Sequence, residues 1–451
     1  MAMGRRETHQ QGELWVATTK IPESPGHPFY QKLGKILLDN GFDAYVEGEC
    51  SRFYREGEGR PGIPPGVYFR MLLIGYFEGL DSERGIAWRC EDSLSLKQFL
   101  GYQLTDSTPD HSSLSVIRRR LDVETHTKVF QRILELIQTH GLLKGKTVGV
   151  DGTTLEANAA MKSIVRRDTG ESYDEFLTKL AKANGIETPT REQLAKLDRK
   201  RKKKGSNDDW KNPHDPDAKI TKMKDGRTHL AHKSEHAVDM ETGAVIAVTI
   251  QPANRGDTKS LEPTLEAARE NLVAITQVEQ PTTIEELVTD KGYHSNDVVV
   301  SLEQQEVRSY VSEPDRGRRN WEDKQAEQKA VYANRRRVRG RRGKRLMRRR
   351  GEILERTFAH CYETGRLRRT YLRGHENILK RVLIHVGAFN LGLVMRKMTG
   401  RGTPRGLGEL GRVVFALFRG LYMLIWQLLD AMRRLGDPTP SLCRMAICHY
   451  D

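Results

Sequence analysis

Apolar positions recur at helical spacing through the first third of the chain and give way to short β-branched runs from Thr147 onward. Phe29, Leu33, Ile36 and Leu37 share one helical face, and Pro64-Pro65 open a second apolar helix over 67–77. Ser82 starts a third, with Ile86, Trp88 and the 94–100 segment on its buried side. The cluster Thr108-Pro109-Asp110-His111-Ser112-Ser113 has the composition of an N-cap and leads into Leu114, Ile117 and Leu121. A helix over 123–140 then joins this region to a different pattern. Thr147-Val148-Gly149-Val150-Asp151 reads as a buried strand ending in an acid. Residues 228–238 and 244–250 read as two strands around the turn-rich 239–243 stretch, followed by a helix over 259–271 and a strand ending at Asp290. That order predicts an α/β fold, a mixed sheet flanked by helices behind an all-helical N-terminal domain.

Four regions follow. Residues 1–28 are polar and Pro-rich and are expected to form a flexible arm; 29–145 form the helical domain; 146–398 form the α/β domain; 399–451 form a linker and a C-terminal helical segment. Residues 163–217 are expected to be a charged, helical, basic insertion in the α/β domain. The apolar run 413–429 is short for a bilayer and carries Arg419 and Gln427, which favours a buried or subunit-bridging helix over a membrane span.

Charge sharpens the picture. The 451 residues are 37% hydrophobic, enough for a sizeable core, and 75 Lys and Arg stand against 60 Asp and Glu. Within 316–350, sixteen Lys or Arg face three Asp or Glu. Such a concentrated positive field calls for a polyanion, nucleic acid first. Arg118, Arg119 and Arg120 end the helix after the capping cluster, and two short helices with a basic second member resemble a helix-turn-helix DNA reader. The run 199–204 is either a solvated face or a phosphate grip. Five scattered cysteines indicate no disulfide framework, and the first residues hold no apolar leader, so a cytoplasmic, nucleoid-associated protein is expected.

The candidate chemistry lies at strand ends. Asp151 and Asp290 each close a β-branched run and are followed by glycine, as Asp151-Gly152-Thr153 and Asp290-Lys291-Gly292-Tyr293. A carboxylate there projects from a rigid sheet, where it can hold a metal; the plainer alternative is a turn residue. His232 and His236 share a strand face and could approach a metal, although strand histidines more often pack. Asp257, before the 259–271 helix, is expected to be an N-cap. Glu355, in Leu354-Glu355-Arg356-Thr357-Phe358, adjoins a buried helical stripe and is surrounded by arginines.

Taken together, the segments around Asp151, Asp290 and Glu355, with Leu372-Arg373-Gly374, Phe389-Asn390-Leu391 and the Asp110–Arg120 helix, resemble bacterial insertion-sequence transposases of the DDE class over about residues 61–396. The resemblance implies a ribonuclease H-like catalytic domain in which Asp151, Asp290 and Glu355 are catalytic and hold two Mg2+ (or Mn2+) ions. It also implies DNA partners, terminal inverted repeats and target DNA, and a homo-oligomer assembled on them. Glu352, Glu363 and Glu376 compete with Glu355 for the third role. DNA contacts are expected from Arg118, Arg119, Arg120, Lys291, Arg335, Arg336, Arg337, Arg341, Arg342, Arg348, Arg349 and Arg350. A nuclease that cuts without joining, or an inactive DNA-binding derivative, would share these features.

Overall fold

The computed structural model describes residues 26–55, 62–201, 205–223, 225–276, 282–317, 319–405 and 423. The expected N-terminal arm and the 413–429 helix therefore lie almost entirely outside the described residues. Seven helices come first: α1 (Pro28–Asp39), α2 (Phe42–Cys50), α3 (Pro65–Glu78), α4 (Glu83–Glu91), α5 (Leu94–Leu100), α6 (His111–Arg120) and α7 (Val123–Thr139). The capping residues do what their chemistry predicts: Ser82, Ser93, Asp110 and Asp122 each accept a backbone N–H of the first turn. α3 is buried all round from Gly66 to Phe77, so it is the axis on which the other helices pack.

The sheet follows. β1 (Thr147–Glu156) lies at its centre, antiparallel to β5 (Thr228–Asp239) and parallel to β7 (Glu286–Thr289). β8 (Arg308–Val311) extends the parallel side; on the other side the long β5 pairs with both β4 (Lys219–Lys222) and β6 (Val245–Pro252). Helices α10 (Asp257–Ala274), α11 (Asn296–Gln304), α12 (Gln325–Arg339), α13 (Arg341–Phe358) and α14 (His375–Thr399) cover the sheet, with a π-helical stretch, Ala359–Thr364, continuing α13. The mixed sheet flanked by helices is thus as expected.

Two asparagines pin the sheet margins. Asn390 of α14 bonds both the N–H and the C=O of Val245 on β6, and Asn334 of α12 does the same to Val311 on β8. Each side-chain amide mimics a neighbouring strand and satisfies backbone groups that an edge would leave open.

α14 is long and apolar enough to cross a membrane, but it is buried in the protein, packed on α3 and α7 on one side and β6 on the other. One hydrophobic core consequently runs from Phe77 and Phe130 through Val386 and Leu391 to Val248 and Leu287. The helical domain and the sheet domain cohere as one body.

The insertion is helical as expected, with a ribbon in addition. It holds α8 (Tyr173–Ala183), α9 (Arg191–Lys200) and a two-stranded ribbon of β2 (Val165–Arg166) and β3 (Trp210–Lys211). Trp210 is its small core, with the rings of Tyr173 and Phe176 at 5.0 and 5.4 Å. Residues 199–201 of the 199–204 run are described, and of these Arg201 stacks on Phe176 and pairs with Asp198, so it is structural.

Several arginines of the basic tract are also structural. Arg342 donates to both oxygens of buried Glu286, which further accepts from Thr147 and Tyr310; these bonds hold the Glu286 carboxyl below its usual range despite burial. Arg342→Ala leaves that carboxylate short of its charged partner. Because Arg342 is half exposed, we expect a loss of about 1–2 kcal/mol in urea unfolding, with DNA affinity little changed.

Candidate active site

β1 carries Asp151 and β7 delivers Asp290. The parallel ladder pairs Thr147 with Glu286, Val148 with Leu287 and Gly149 with Val288. Carried on by two residues, that register sets Asp151 level with Asp290 on adjoining strands. The two carboxylates meet at one cation: Arg350 Nη2, from α13, lies 2.8 Å from Asp151 Oδ2 and 3.7 Å from Asp290 Oδ2. Acids 139 positions apart in sequence are thereby brought to one point, as expected.

Their surroundings explain the glycines. Asp151 Oδ1 accepts the Gly152 N–H within β1, and Asp290 Oδ1 accepts the Gly292 N–H in the turn after β7, so each acid is tethered by a nearby backbone N–H. A Cβ at Gly152 would sit 2.7 Å from Lys233 Cε, and one at Gly292 would collide with the Asp257 carboxylate. The motifs need glycine because a buried lysine and a third aspartate press against the chain there.

That lysine and aspartate belong to a network that sequence reasoning missed. Lys233 Nζ donates to Asp257 Oδ1 at 2.6 Å and to Ser260 Oγ at 2.6 Å, and lies 3.2 Å from Glu235 Oε1. Tyr293 and Ser260 donate to Glu235 Oε1, and Thr264 donates to Oε2. The signal was present: two charges in alternation, Lys233 and Glu235, inside a strand that is buried from Leu230 to Asp239. Asp257 is accordingly not the N-cap. Gly256 holds that position, and the Asp257 side chain turns to Lys233 instead.

Burial pushes the Asp151 carboxyl up to about 6, with neighbouring Asp290 and Asp257 adding to the rise while Arg350 and the Gly152 N–H oppose it. The folded protein therefore holds a proton that the unfolded chain releases at lower pH. Its stabilising contribution is complete below the usual carboxylate value near 3.8 and is lost as pH rises to about 6. At neutral pH an ionised Asp151 costs on the order of 2–3 kcal/mol. In melts with chelator, Asp151→Asn should unfold at higher temperature than wild type at pH 7.5, with a smaller gap at pH 5.

Glu355 stands apart. It lies exposed on α13, and no hydrogen bond or ion pair joins it to either aspartate. Among the described residues no group of three or more His, Cys, Asp or Glu is poised to hold a metal. Of its competitors, Glu363 is held by Arg368, while Glu352 is exposed. The strand histidines are structural: His232 bonds buried Asp215, and His236 bonds Tyr362, with burial pushing the His236 ring down to about 3.

The expected DNA-facing arginines divide. Arg118 is buried and paired with Glu83, Arg120 stacks on Tyr54, and residues 101–110 separate α5 from α6, too long a link for a compact helix-turn-helix. Arg335 pairs with Glu313, Arg337 bonds Ser309, Arg342 bonds Glu286, Arg349 reaches the Glu241 carbonyl, and Arg350 belongs to the acid pair. Lys291, Arg336, Arg341 and Arg348 are exposed and have no side-chain hydrogen bond or ion pair among the described residues. Arg119 is exposed and touches only its own helix, at the Ser115 carbonyl.

The comparisons supply the class of protein to which this helix-flanked mixed sheet belongs. Residues 207–391 match the family described as Transposase DDE domain, and residues 19–120 match that described as Transposase domain (DUF772). The chain belongs to the DDE transposases of insertion sequences. Asp290 and Glu355 fall inside the first match, whereas Asp151 lies between the two. No curated protein and no solved structure gives a match.

Proposed function

We propose that the protein binds the terminal inverted repeats of its element and performs metal-dependent strand cleavage and strand transfer at Asp151, Asp290 and Glu355. The observation that carries this reading is the convergence of Asp151 and Asp290 on the Arg350 guanidinium: two carboxylates already gathered around positive charge. Their donor set is all oxygen and opens toward solvent at Asp290, which suits Mg2+ or Mn2+ held by few protein ligands and several waters. Two such ions, when bound, supply an activated water or 3′-hydroxyl and stabilise the leaving oxygen. The strand order β6-β5-β1-β7-β8, antiparallel on one side of β1 and parallel on the other, supports a ribonuclease H-like catalytic domain.

The chain's own residues have separable tasks. Asp151 and Asp290 bind the cations and fix their position on the sheet. The Lys233–Glu235–Tyr293 network braces the strand and the turn that carry them. Lys291, Arg336, Arg341 and Arg348 take DNA phosphates, so affinity falls steeply with salt. Pairing two ends implies a homo-oligomer on DNA, working in the cytoplasm at the nucleoid.

The test uses pre-cleaved terminal-repeat ends with a plasmid target and Mg2+. We expect joined products that require the 3′-hydroxyl and vanish in Asp151→Asn. Cleavage of intact ends without any joining of pre-cut ends would identify a nuclease instead.

A further inference from the structure

Arg350 occupies an unusual place for a member of a basic DNA-facing tract. Its side chain is 13% exposed, its Nη2 lies 2.8 Å from Asp151 and 3.7 Å from Asp290, and its Nε is buried with no hydrogen-bond partner. A buried N–H without a partner can take one more acceptor. The next residue, Gly351, adds no side chain, and a Cβ there would meet nothing within 4 Å, so the flank of α13 beside Arg350 is open. The guanidinium thus has an incomplete set of bonds.

Resting on the reading of Asp151 and Asp290 as metal ligands, we propose that Arg350 is an internal counter-ion that the metal ions displace and that then engages the phosphate of the bound strand. A guanidinium and a divalent ion cannot both sit against Asp151 Oδ2, because they repel and claim the same oxygen. While Arg350 is in place it offsets the mutual repulsion of the acids and keeps them gathered. Once displaced, its planar fork is within a side-chain length of any phosphate held at the acids, and bidentate phosphate binding is what that fork does best. Arg350 therefore couples two events: the protein gives up its internal cation as the ions and DNA arrive together.

The experiment measures Mn2+ binding to the full chain without DNA, by calorimetry, for wild type, Arg350→Gln, Arg350→Lys and Asp151→Asn, alongside cleavage of repeat-end DNA at saturating Mn2+. Removing the competitor should tighten Mn2+ binding at least about tenfold in Arg350→Gln, a modest share of the repulsion expected between a guanidinium and a dication a few ångströms apart. The same variant should cleave at least about tenfold more slowly, for want of the phosphate contact. Arg350→Lys should fall between it and wild type in both, and melting curves check that each variant is folded. Tighter metal binding with weaker cleavage is a pair of changes that a merely structural arginine would not give. Unchanged or weaker Mn2+ binding in folded Arg350→Gln and Arg350→Lys, with wild-type binding still dependent on Asp151, overturns the counter-ion role and leaves the metal site standing. Mn2+ binding that is indifferent to Asp151→Asn overturns the metal site, and the proposal with it.

Discussion

Asp151→Asn and Asp290→Asn should each lower strand cleavage by about a thousandfold or more while leaving repeat-DNA affinity within a few fold of wild type. Each substitution keeps shape and removes one negative charge from a pair that faces a single positive group. Loss of an outer-shell partner of a metal ligand typically costs ten- to a hundredfold, and loss of the ligand's own charge must exceed that. Folding should survive, because the Gly152 and Gly292 N–H groups can donate to an amide oxygen as well as to a carboxylate oxygen. DNA affinity should survive because the exposed cations, Arg336, Arg341, Arg348 and Lys291, are untouched. Cleavage on radiolabelled repeat ends and gel shifts on the same DNA check the two halves. Residual cleavage above one per cent in either variant would remove that aspartate from the catalytic set.

The acid pair was legible because a β-branched run, an acid and a glycine are local features that place a carboxylate on a rigid sheet, although β1 does not end at Asp151 as expected but runs on to Glu156. Convergence of the two was not local, yet it follows from parallel pairing of β1 with β7, which the alternation of strands and helices already implied. The fate of the arginines was illegible for the opposite reason. Arg335, Arg337 and Arg342 look like their exposed neighbours in sequence, and only the arrival of Glu313, Ser309 and Glu286 from other elements makes them structural. Arg118 shows the same thing in the helical domain, where Glu83 of α4 takes it out of reach of solvent. A run of like charges reports a field, and its members' individual duties depend on partners far along the chain. Asp257 was misjudged because residues before a helix are capping candidates by default, and nothing adjacent in sequence announces Lys233.

Glu355→Gln should also abolish cleavage, by about a thousandfold, although Glu355 makes no contact with the aspartates here. The argument is helical geometry. Leu354 faces the sheet, beside Gly149 of β1, and marks the line along which α13 packs. Arg349 and Arg356 reach Glu241 and Gly243, in the turn between β5 and β6, which lies at the N-terminal end of β1 because Asp239 pairs with Val148. At about 100° per residue, Glu355 lies about 100° from Leu354 and about 140° from Arg350, the α13 residue that meets both aspartates, so its carboxylate has to turn to join them. Gly351, one turn earlier on the same side, leaves open space there, so a rotamer change or a small roll of α13 brings the Glu355 carboxylate toward the pair. Glu352 lies about 160° from the sheet-facing line and points to solvent; Glu363 is engaged by Arg368. Glu352→Gln and Glu363→Gln should therefore cleave within about threefold of wild type in the same assay. Bound divalent ions would draw the third carboxylate in, so Mn2+ should raise the melting temperature of wild type more than that of Glu355→Gln, and a variant that cleaves normally would pass the third role to another residue.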